Sequence, residues 1–112
     1  MSLVVFRSKA AGEIFMFAET AQRLLQIVGK TDFVRGVIRA DEVGGALACL
    51  STAVEQEKAD LREQRARREP DEHGAGAHSE RLLPITLGQR AFPLLEMLRA
   101  AQRKRVDVTW GL

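Results

Sequence analysis

A chain of 112 residues has room for one core, and a hydrophobic share of 46% places it among globular rather than disordered proteins. Its charges nearly cancel, at a formal +2, which sets it apart from strongly basic nucleic-acid binders and from acidic tails. One cysteine excludes a disulfide within the chain, and no window approaches the ~18 consecutive apolar residues of a spanning helix.

Leu3-Val4-Val5-Phe6 predicts a first strand that is apolar on both faces, with Val4 and Phe6 on one and Leu3 and Val5 on the other. Such a strand is covered on both sides, or is covered on one side and leaves the other at a contact surface. Ser8 to Gly12 reads as a turn, and Ile14-Phe15-Met16-Phe17 as the returning strand of a hairpin, unless it opens the following helix. From Glu19 the period changes. Ala21, Leu24, Leu25 and Val28 mark an amphipathic helix, closed by Gly29 in a left-handed conformation. Lys30 to Arg39 reads as a connection with Phe33, Val37 and Ile38 tucked against the core. Asp41 and Glu42 suit the start of a second helix, whose stripe is Val43, Leu47, Leu50 and Val54. Gly44 and Gly45 weaken its first turns by about 1 kcal/mol each if exposed, and their size admits a close neighbour.

Apolar anchors then run out. Glu55 to Arg81 carries a formal −2, leaving +4 on the remainder, and only Leu61 is apolar enough to hold a continued helix. Glu55 to Glu69 is expected as a frayed, solvated extension, and Pro70 with Gly74-Ala75-Gly76 ends regular structure. Residues 68–81 are expected as a mobile insert within a single domain spanning 1–112, so the two ends must meet across it. Order returns at Leu82. Thr86 and Gln89 match a capping box, and Phe92, Leu94, Leu95, Met97, Leu98 and Ala101 give the third helix a broad apolar face. Pro93 either kinks that helix or starts it, and the second is favoured because proline suits a first turn. Val106, Val108 and Trp110 alternate with Asp107 and Thr109 as a half-buried strand. The expected fold is α+β: a three-stranded antiparallel sheet, formed by the N-terminal hairpin and the C-terminal strand, packed on one face by about three helices.

Four segments, VVFRSKAAGEIFMF, AQRLLQIVGK, RGVIRADEV and LGQRAFPLLEMLRAA with the terminal TWG, resemble a family of small uncharacterised proteobacterial proteins known only as a domain of unknown function. QRAFPLLEML with TWG is the most specific piece. The resemblance spans the chain except Glu57 to Leu82, where that family carries a variable charged insert. It implies an autonomous bacterial domain and carries over no catalytic residue. Thirteen Arg against four Lys, fifteen Ala and no Asn also fit a GC-rich bacterial genome.

No motif for catalysis, a cofactor or a metal is legible, and no cofactor is expected. His73 and His78, with Asp71, Glu72 and Glu80, offer metal-ligand types without a known spacing, and a solvated linker explains them better. Cys49 lies beside the second helix's apolar stripe without a base in reach, and reads as a small core residue. Arg99, Arg103, Lys104 and Arg105 form a candidate anion-binding stripe for a nucleic acid or an anionic membrane surface, although cations near a helix C-terminus are favoured by its dipole alone. Leu3, Val5, Phe15 and Phe17 form a candidate interaction patch, since helices on a single face leave them without cover. The functional expectation is a cytoplasmic interaction module, without catalysis, that associates with itself or binds another protein. The alternative is an anion binder, and an enzyme ranks last. The first apolar run is too short for a secretory segment.

Overall fold

Alternation over the N-terminus folds as a hairpin in the computed structural model, which describes residues 2–66 and 86–111. The insert expected at 68–81, with Pro70, His73 and His78, lies outside the described residues. Strand β1 (Leu3–Ser8) pairs antiparallel with β2 (Ala11–Phe17), so the turn is tighter than expected. The register shifts between Phe6 and Ser8, where Gly12 and Glu13 oppose the lone Arg7 as a bulge. Helix α1 (Ala18–Ile27) follows at once, capped by Val28, and Gly29 adopts φ +88° as its sequence position demanded. Ala21, Leu24 and Leu25 are its buried side.

Among the described residues the sheet has four strands, not three. Gly36–Ile38, expected as connection, is β3, and it pairs with β4 (Val108–Trp110). Only three residues long, β3 has no readable alternation, and its pairing depends on the far end of the chain. A Cβ on Gly36 would run into the Trp110 ring, so the glycine admits the indole. The spatial order is β2-β1-β4-β3, which puts β1 mid-sheet between β2 and β4 as its two apolar faces suggested.

Helix α2 (Val43–Ala66) is one regular helix well past Val54, against the expectation of fraying. A side-chain contact explains part of this. Glu57 accepts from the Leu87 backbone N–H at 2.7 Å and from Arg23 at 3.3 Å, tying α2 to α1 and to helix α3 (Leu87–Lys104). The buried stripe is Val43, Ala46, Leu50 and Val54, with Leu47 only half-buried. Cys49 lies about 100° round the helix from Leu50, and it is an exposed residue and not the core residue expected. Gly44 does meet a close neighbour, with Gln102 Nε2 3.1 Å from where its Cβ would stand, whereas Gly45 has open space.

The capping box at Thr86 is present in both directions, and α3 therefore starts at Leu87, not at Pro93. Pro93 lies inside the helix at an exposed position, where water can take the carbonyl that loses its intrahelical donor. Phe92, placed in the apolar face by spacing, is 56% exposed beside this proline. The helix's apolar side contacts β1, β2, β4 and α2. Phe6, Ile38, Leu94, Met97, Leu98, Val108 and Trp110 fill the core between them. The rings of Phe6 and Trp110 lie 6.0 Å apart, tilted by 38°. Trp110 Nε1 donates to the Asp32 carbonyl at 3.0 Å, so burying the indole leaves no donor unpaired.

Candidate functional site

The hairpin register decides what its outer face offers. Leu3 lies opposite Phe17 and Val5 opposite Phe15, so the four candidate patch residues form two direct cross-strand pairs on one face. Their neighbours Val4, Phe6, Ile14 and Met16 point the other way and pack on the core. Leu3, Phe15 and Phe17 are 58%, 62% and 55% exposed, and Val5 between them is half-buried. Arg7 and Glu13 continue the same face toward the turn and are joined by a salt bridge. Thr109 of β4 and half-buried Val37 of β3 extend it toward the other edge. The face is therefore apolar at the β1–β2 end, with a charged rim at the turn.

Three of the four candidate cations lie on α3, with Arg99 and Arg103 one turn apart, and Arg105 is its C-cap. Arg99 lines a groove of about 430 Å³ between α2 and α3, with Val54, Lys58 and Phe92, and pairs with Glu96 at 3.7 Å. Arg103 and Lys104 occupy the last turn of α3, where the helix dipole favours positive charge. Arg105 caps that helix at φ 57°, ψ 50°, a left-handed conformation glycine would adopt more easily. It turns toward a cleft of about 650 Å³ beside Arg7, Lys9, Glu13 and Asp107.

Three carboxylates bind backbone N–H groups, and of these only Glu42, just before α2, was marked in the sequence. Asp32 accepts from the Val34 and Arg35 backbone N–H groups at 3.0 Å each. Those bonds, the Arg35 one foremost, hold its carboxyl below the ordinary value of 3.8. Glu42 accepts from the Arg39 backbone N–H at 3.0 Å and from Lys30 at 3.3 Å, and both keep its carboxyl below 4.5. Asp107 accepts from the Ala40 backbone N–H through its carboxylate at 2.7 Å, and from the Ser8 hydroxyl through its carbonyl at 2.8 Å. Each of these carboxylates accepts from at least one backbone N–H group.

Among the described residues, no group of three or more His, Cys, Asp or Glu is placed to hold a metal, and no helix is long and apolar enough to cross a membrane. Comparison with known proteins gives one result. No curated protein and no solved structure matches the chain. The family model described as a domain of unknown function (DUF1840) matches residues 2–110, and the chain belongs to that family.

Proposed function

We propose that this domain is an interaction module, without chemistry of its own, that associates with itself or with another protein through the open apolar face of its sheet. One observation carries this: Leu3 with Phe17, and Val5 with Phe15, stand as exposed cross-strand pairs on the face turned away from the core. Contiguous exposed apolar surface on a small protein commonly marks a contact site. The Arg- and Ala-rich composition and the lone cysteine support a bacterial, cytoplasmic setting.

Replacing Val5 and Phe15 together with Lys tests the reading. If the face is a contact surface, the variant stays folded, with buried Trp110 fluorescence, and loses association. If the face is core, the variant unfolds. The alternative, binding of a nucleic acid or anionic membrane through Arg99, Arg103, Lys104 and Arg105, has less support because Arg99 pairs with Glu96 and cations at a helix C-terminus are favoured by its dipole without a ligand. Salt-dependent retention on heparin that is lost with Arg103→Ala and Lys104→Ala would favour it.

A further inference from the structure

The two edges of the sheet are not alike. Sheets expose unpaired backbone groups at their edges, and proteins blunt them with short strands, lysine, proline or bulges. At one edge β3 is three residues long. At the other β2 runs for seven, with no Lys or Pro, and its bulge lies at the turn end, leaving Ile14 to Phe17 regular. The Ala18 N–H bonds to the Ser2 carbonyl at 2.9 Å, and antiparallel pairs alternate from there. Ile14 and Met16 thus turn their backbone groups toward β1, while Phe15 and Phe17 turn theirs outward.

We propose that β2 pairs antiparallel with β2 of a second copy of this chain, across a two-fold axis at Phe15, joining two four-stranded sheets into one. This deepens the self-association reading and rests on it. The strand is self-complementary in that register. Phe15 meets its own copy with both outward backbone groups in bonding position, and Glu13 falls opposite Phe17, so no like charges face each other. The ends of the edge are oppositely charged, with exposed Lys9 at the turn and exposed Glu19 in the first turn of α1. A two-fold axis exchanges those ends and brings Lys9 toward the partner's Glu19. The apolar faces of the two copies then run together as one strip.

Amide exchange on the isotope-labelled full chain, followed residue by residue at micromolar and millimolar concentration beside its sedimentation, tests the pairing. A dimer at high concentration, with exchange at the Phe15 and Phe17 amides slowed about tenfold or more relative to the dilute sample, supports it. A dimer whose Phe15 and Phe17 amides exchange as fast as in the dilute sample overturns strand pairing and leaves association through the face. A monomer at both concentrations overturns strand pairing and self-association alike, and leaves a different protein as the partner of the face.

Discussion

On the helix-covered face of the hairpin, Phe6 is fully buried and Val4, Ile14 and Met16 pack against the core, while one residue along Leu3, Phe15 and Phe17 stand more than half exposed. The side chains are of one kind and the backbone is shared, so the different fates follow from what covers each face. Helices α1 and α3 lie against one side of the hairpin. Burial of apolar surface stabilises the fold on that side, and exposure of similar surface on the other is tolerated at a cost that a contact would recover. The comparison separates residues that hold the domain together from residues that stand exposed on its outer face.

The widest contrast lies between Trp110 and Phe15. Trp110→Ala should lower stability by about 3–5 kcal/mol, the cost of removing a large buried aromatic side chain, and chemical denaturation would measure it. Phe15→Ala in a dilute sample should stay within about 0.5 kcal/mol, as at other exposed positions. Equal losses would mean that both faces are covered. Gly36→Ala comes next, at about 1–3 kcal/mol, because its methyl group would overpack the indole from the neighbouring strand. Thr86→Ala should cost about 1 kcal/mol by removing one half of the box that starts α3.

The smallest effect is on pH dependence. Glu42 is depressed below 4.5 by the Arg39 N–H and by Lys30, so it stabilises the fold at neutral pH, and that contribution is lost as pH falls below 4.5 through its folded value. Melting curves of the wild type and Glu42→Gln should differ at neutral pH and converge in acid. A constant difference would mean that the carboxylate charge is not what holds the turn before α2.

Much of this division was legible in the residues. The doubly apolar run Leu3 to Phe6 placed β1 mid-sheet, alternation in Val106, Val108 and Trp110 marked the last strand, and the apolar excess on the hairpin left one face without evident cover. Other features needed the folded chain. Strand β3 is defined by Gly36 making room for Trp110, a contact between residues far apart in sequence. Cys49 was misplaced because adjacency to Leu50 in sequence was taken for a shared face, whereas one residue is about 100° around a helix. Pro93 was given the start of α3 on preference alone, although Thr86 and Gln89 already marked an earlier one. Glu57 looked like one more charge in a solvated run, and its bond to the Leu87 N–H has no local signature. Nothing in Arg105 announces the left-handed cap it forms at the end of α3.

Sedimentation equilibrium of the wild-type chain, from micromolar to millimolar concentration at constant salt, tests the role of the open face most directly. A mass that rises from monomer toward dimer, and stays monomeric when Val5 and Phe15 are both replaced by Lys, is the expected result. A single monomeric species across the whole range, indistinguishable from the Lys variant, would contradict self-association.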